Sequence, residues 1–373
     1  MEKIYIHWGA DEEFEDKVSG LDGSAFLVDI MAVLNQQELV FHGQQNLDTS
    51  PIDVENLIIH TDDYGGIREW AMLGFSNNVL KNLKVDIKNV WFCNPPSKIY
   101  EDVCRTFDKS IIEENSTDYP EITLEMLRKI ADGFDENVIG QSQVITPILS
   151  AIYGLKKKRN KPVTLLFLGK SGIGKTEAAK YISTCIGTDV VRIQCSMQQT
   201  NNAYQYVFGA EHGEDSLARE LIRRKSNVVL LDEFDKVNPA FYNAFYQMFD
   251  EGLFVDSNYS VDVSKCVIIC TTNFLTDEEA EKNLGMPIYS RFSKVIRFQS
   301  ISPEDRLKIA KIYYKQLLNE LSEEDKILIN GNDVLSVFES YIQNGLYENI
   351  RLLKTDIEDA INYEILKAQH IVP

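Results

Sequence analysis

From residue 163 onward, short apolar blocks alternate with longer stretches whose apolar positions recur at helical spacing. Val163–Leu168, Val190–Cys195, Val228–Leu231, Cys266–Thr271 and Lys294–Phe298 are the strand candidates. Runs of Val, Ile and Leu alternating with helices predict a parallel sheet covered on both faces. After Ser302-Pro303, a good helix start, the pattern is helical to the end with no Gly-rich loop. Residues 1–112 mix the two periods: Leu57–His60 and Val90–Cys93 predict strands, and Ile67–Leu80 a helix following Gly65-Gly66. Glu113–Pro120 is polar, carries three acids and ends in proline, which suits a connector. The expected division is an N-terminal α/β unit over 1–112, a linker over 113–122, a five-stranded α/β unit over 123–300 and a small helical unit over 301–373. No internal repeat is visible.

Composition narrows the class without naming a function. With 373 residues, 44% hydrophobic and 25% charged, the chain can bury a sizeable core and is not a disordered polymer. Its apolar runs fall far short of the roughly 18 residues of a membrane-spanning helix, and the start, Met-Glu-Lys-Ile-Tyr-Ile-His-Trp, lacks the pattern of a secretory signal. A cytoplasmic location is expected. The six cysteines form no C-x-x-C pair, so they are expected to be reduced, with Cys266 and Cys270 as buried thiols rather than zinc ligands. The net charge of −19 opposes nucleic-acid and anionic-membrane binding, and the basic run Lys156–Lys161 is expected to be a solvated connection. Residues 1–120 hold 22 acids against 9 bases, leaving 35 against 29 for the rest, so the acidity belongs mainly to the N-terminal unit. Its surface should prefer a basic or neutral protein partner.

The chemistry is concentrated after the first long apolar strand. Gly169-Lys170-Ser171-Gly172-Ile173-Gly174-Lys175-Thr176 fits G-x-x-x-x-G-K-[ST], follows a strand and opens a helix, Glu177–Ile186. Such a loop wraps phosphates with inward backbone N–H groups at a helix N-terminus. Lys175 is expected at the β and γ phosphates and the Thr176 hydroxyl on Mg²⁺. Val228–Leu231 runs into Asp232-Glu233, where Asp232 suits the Mg²⁺ shell and Glu233 is placed to activate water. Asn273, at the tip of the strand beginning at Lys265, can hold that water or sense the γ phosphate.

These segments, in this order, resemble the AAA+ ATPases, and more closely the Clp-type unfoldases. Residues 136–182 look like the family's adenine-contacting segment running into its phosphate loop, and Leu-Asp-Glu-Phe-Asp-Lys (231–236) like its second nucleotide motif. Asp250–Asp256 followed by Val261-Asp262 resembles its helix end and hairpin, and Cys270–Asn273 its sensor strand tip. The resemblance covers about 121–373. It implies ATP and Mg²⁺, Arg291 as an arginine finger reaching a neighbouring subunit's nucleotide, Arg351 as the small-domain sensor, and Val138 and Ile139 either at adenine or simply in the core. The family form around the sensor is Gly-Ala-Arg, whereas this chain has Asn349-Ile350-Arg351. A homo-oligomeric ring, expected to be hexameric, follows from Arg291.

Two departures matter. The interval Phe208–Asp215 is short and lacks the family's pore aromatic, with Tyr204 and Tyr206 expected to be in the core or a surface turn. Leu284-Gly285-Met286 is only an approximate peptidase-docking tripeptide, so peptidase association is not expected. In the N-terminal unit, His60, Asp62 and Asp63 are expected at a solvated strand end rather than on a metal, while Trp8, Trp70 and Trp91 fit either a core or a partner surface. The expected function is a ring-forming, ATP-hydrolysing remodeller of a protein partner; the alternative is an ATP-gated oligomeric interaction or signalling protein without threading.

Overall fold

The computed structural model describes residues 1–38, 51–67, 69–83, 85–157, 161–187, 189–196, 203–209, 214–329 and 334–372. The side chain of Trp70, residues 158–160 of the basic run and 210–213 of the Phe208–Asp215 interval lie outside the described residues.

Strands β1 (Lys3–Trp8), β2 (Ser24–Phe26), β3 (Ile52–Ile59), β4 (Val85–Cys93) and β5 (Ile112–Ser116) form one parallel sheet in the order β2-β3-β4-β1-β5. Its centre is apolar, with Ile4, Ile6, Leu57, Ile59, Val90 and Phe92 at 3% exposure or less. The stretch expected to connect the units is therefore a strand over Glu113–Ser116: edge position needs only one paired side, which polar residues tolerate. The helix expected over Ile67–Leu80 is broken into Glu69–Met72 and a π-turn, Ser76–Leu80, where the Ser76 N–H donates to the buried Asp102 carboxylate at 2.8 Å instead of staying in one helical ladder. Trp91 stacks on Tyr5 at 3.9 Å, and Trp8 packs edge-on against Tyr100.

The second sheet follows the apolar blocks closely: β6 (Val163–Leu168), β7 (Val191–Gln194), β8 (Val228–Asp232), β11 (Val267–Thr271) and β12 (Lys294–Arg297), all parallel, in the order β12-β6-β11-β8-β7. Between β8 and β11 an antiparallel hairpin, β9 (Leu253–Val255) and β10 (Ser260–Asp262), sits where the sequence predicts one. Strands β6, β8 and β11 are buried along their whole length, as expected for a sheet covered on both faces. Cys266 and Cys270 are buried free thiols. Helices Pro303–Glu320, Glu323–Ile329, Val334–Gln343 and Ile350–Ala368 follow, the first capped by Ser302 accepting from the Asp305 N–H at 3.1 Å.

The carboxyl ends of the N-terminal strands do not face solvent alone. Asn94, fully buried, donates to Gly9 O at 2.8 Å and Thr61 Oγ1 at 3.1 Å, tying the ends of β1, β3 and β4 together. Against this edge lies helix Leu217–Ile222 with the residues just after it. Asp62 pairs with Arg219 and, at 2.9 Å, with Arg223; Asp11 pairs with Arg223 and Glu12 with Lys225. Arg219 also donates to Thr61 O at 3.0 Å, and the Arg224 guanidinium lies 4.6 Å over the Tyr119 ring. Part of the acidity expected to meet an external basic partner thus meets bases of the same chain.

Candidate nucleotide site

The loop after β6 needs left-handed backbone at Gly169 (φ +140°), Gly172 (φ +78°) and Gly174 (φ +101°). A side chain would also collide: a Cβ on Gly169 would lie 2.8 Å from Phe298 O and one on Gly172 2.4 Å from Asn349 Oδ1. The loop therefore presses against both β12's end and the start of the last helix. That helix, Ile350–Ala368, is capped by Asn349 and carries Arg351 in its first turn. Helix Lys175–Ile186 begins two residues earlier than expected, directly from Gly174.

Lys175 is 7% exposed, and its ammonium folds back to donate to Gly169 O and, at 2.6 Å, to Lys170 O. Burial lowers its pKa to about 8, against the pull of Asp232 and Asp235, which raise it. Lys170 reaches outward to Glu348 at 2.7 Å.

Asp232 ends β8 almost fully buried, its Oδ1 accepting from Thr271 Oγ1 at 2.5 Å. Its Oδ2 accepts from Arg192 Nε at 2.9 Å and Nη2 at 2.5 Å. Glu233 takes the left-handed conformation (φ +57°), with its N–H on Thr271 Oγ1 at 3.0 Å and its carboxylate accepting from Gln194 Nε2 at 3.0 Å. A non-glycine residue in that region is strained by about 1–2 kcal/mol, a device that turns its side chain away from the strand direction.

One cavity of about 360 Å³ gathers the expected residues: Val138, Ile139, Ser171, Gly172, Ile173, Gly174, Lys175, Thr176, Asp232, Glu233, Asn273 and Arg351. Gly169 and Lys170 stand behind it, as the carbonyl acceptors of Lys175. Arg291 is not in the cavity. It lies between helix Met286–Tyr289 and β12, bonded through Nε to Asp250 at 2.7 Å and stacked 4.3 Å over Tyr246. Arg192, Gln194, Thr271, Lys354 and the apolar Ile309 and Ile312 also line the cavity and were not expected. The available signal was the polar pair Arg192 and Gln194 at strand spacing in β7, which puts both on one face beside β8. Val138 is 2% exposed, so it belongs to the core while bordering the cavity.

Elsewhere the expected candidates have other partners. His60 meets Glu15 at 2.9 Å and Asp63 at 3.3 Å, contacts that raise its pKa, while Asp62 belongs to the arginine contacts. Tyr206 is buried; Tyr204 is 61% exposed and packs on Phe208 at 4.7 Å. Leu284 ends one helix and Met286 begins the next, with Gly285 between them.

Residues 160–323 match the family model of the AAA domain (Cdc48 subfamily). Chaperone protein ClpB 2 of Nostoc sp. is 29% identical over 278 residues, covering 65% of this chain and 32% of that protein. The ATP-dependent Clp protease ATP-binding subunit ClpC of Staphylococcus aureus is 26% identical over 299 residues, covering 66% of this chain and 36% of that protein. The chain thus spans about a third of the length of these curated relatives. A chain from a closed-state cryo-EM reconstruction of Hsp104 with ATPγS and FITC casein superposes with a TM-score of 0.54 at 15% identity, covering 98% of this chain and 89% of that one. The AAA+ resemblance of Clp type and its α/β fold, with parallel five-stranded sheet and C-terminal helices, are borne out.

Proposed function

We propose that the chain binds ATP with Mg²⁺ in the cavity at the carboxyl ends of β6, β8 and β11, hydrolyses it, and does so in a cytoplasmic ring of identical subunits. The resemblance implies six. The work of the ring is to remodel a protein partner selected through residues 1–112. The observation that carries this reading is the convergence of Lys175, Asp232, Glu233, Asn273 and Arg351, from four separate segments, on one cavity.

The donor set suits a hard divalent cation. Asp232 is a buried carboxylate that already holds a cationic group, and the Thr176 hydroxyl stands at the first turn of the loop helix. These two would hold Mg²⁺, which when bound neutralises charge on the phosphates. The loop's backbone N–H groups and Lys175 bind the phosphate chain. Glu233 takes the proton from the attacking water, and the Asn273 amide orients that water. Val138, Ile139, Ile309 and Ile312 offer an apolar wall to the base. Arg351 adds positive charge at the phosphate side. Arg291 lies outside the cavity and is partly exposed, which supports the role that the resemblance implies for it, reaching a neighbouring subunit's nucleotide rather than its own.

Glu233→Gln should retain ATP binding and lower turnover on the order of 10²–10⁴-fold. Parental turnover in that variant would overturn the assignment. The second reading, ATP-gated assembly without threading, is supported by the absence of Phe, Tyr or Trp between Gly209 and Asp215. Robust ATPase activity without unfolding of a tagged substrate would favour it.

A further inference from the structure

The acid expected to hold the metal has a cation of its own. Arg192 rises from the edge strand β7 two positions short of the end of β8, because it pairs with Leu230 while Gln194 pairs with Asp232. Its side chain therefore slants along the strand and places two nitrogens on a single oxygen, Asp232 Oδ2, while Nη2 also donates to Gln194 Oε1 at 2.9 Å. The other oxygen of Asp232 is taken by Thr271. Asp232's side chain is 6% exposed and Arg192's 41%, so the carboxylate is fixed and the guanidinium has solvent to move into. A buried carboxylate facing a phosphate-binding loop would repel its ligand unless neutralised.

We infer that Arg192 is a positioning residue that substitutes for the divalent cation at Asp232, keeping the site receptive to nucleotide before the metal arrives and yielding the carboxylate to it afterwards. This rests on the ATP and Mg²⁺ site proposed above. Arg192 and the metal compete for one oxygen, so removing the arginine has opposite consequences in the two conditions. Without metal, Asp232 becomes an uncompensated negative charge beside the phosphates and nucleotide binds more weakly. With metal, Asp232 is released from a competitor and the loss is offset.

The test is equilibrium binding of N-methylanthraniloyl-ADP to the full chain, in Mg²⁺ and in EDTA. Arg192→Met should raise the ratio of Kd in EDTA to Kd in Mg²⁺ roughly ten-fold, within the usual range of coupling between two sites. Arg192→Lys should restore most of the parental ratio, and in an Asp232→Asn background Arg192→Met should leave the ratio unchanged. Arg192→Gln serves as the neutral variant should the Met variant fail to fold. Equal weakening in both conditions would overturn the inference, reducing Arg192 to a structural support of β7. If the parental protein binds no nucleotide in either condition, the ATP-site proposal falls and the inference with it; normal parental binding with an unmoved ratio sinks the inference alone.

Discussion

Asp62→Ala and Arg219→Met remove the two halves of one ion pair, yet they should differ in cost because the halves differ in burial. Arg219's side chain is 5% exposed and Asp62's is 68% exposed. Removing Asp62 takes the nearest countercharge from a guanidinium that stays in place, with Thr61 O at 3.0 Å and Asp215 at 3.8 Å still close. Breaking a fully buried pair from one side costs about 3–5 kcal/mol, and the exposure of Asp62 screens roughly half of that, leaving ~2 kcal/mol. Arg219→Met removes the charge with its donor and keeps an apolar stem in the same space, so its cost should stay within about 1 kcal/mol. Asp62 meanwhile rehydrates and keeps Arg223 at 2.9 Å. The double variant should then resemble Arg219→Met and be more stable than Asp62→Ala alone, a coupling of about 1–2 kcal/mol. At about 2–4 °C per kcal/mol for units of this size, Asp62→Ala should lower the thermal midpoint by ~4–8 °C, with most of it recovered in the double variant. Thermal unfolding followed by circular dichroism measures all four proteins. An unchanged midpoint in Asp62→Ala, or a double variant less stable than either single one, would refute the burial asymmetry and with it the docking of the two units through Arg219.

Arg291→Ala should leave nucleotide affinity near the parental value and depress turnover by about 10³-fold or more, since the group lies outside its own cavity; steady-state hydrolysis at parental rate would remove its trans role. Gly172→Ala should cost about 2–3 kcal/mol, from the positive φ and from displacement of the Asn349 cap that its Cβ would meet at 2.4 Å. Because that cap begins the helix of Arg351, nucleotide affinity should fall too, whereas Gly66→Ala, whose Cβ meets nothing within 4 Å, should change neither. Thermal midpoints and nucleotide titrations of the two variants decide the matter.

Sequence alone determined what is local in the chain. The phosphate loop needs glycines at set spacing, a lysine and a hydroxyl between one strand and one helix, and the two acids need only an apolar strand before them, so each could be read from its own segment. The central strands β6, β8 and β11 of the second sheet were equally legible, because a strand buried on both faces is apolar without alternation. The short or polar edge strands β2 and β5 gave no such signal. Tertiary structure decided what meets what. Arg192 faces Asp232 only because the strand order puts β7 beside β8 in a given register, and Ile309 and Ile312 wall the cavity only because the C-terminal helices fold back over the loop. The acidic N-terminal unit was visible as a net charge, but a count of charges carries no direction. Asp11, Glu12 and Asp62 found Arg223, Lys225 and Arg219 more than 150 residues away because both sets sit where two folded surfaces close on each other, a coincidence that chain spacing does not encode.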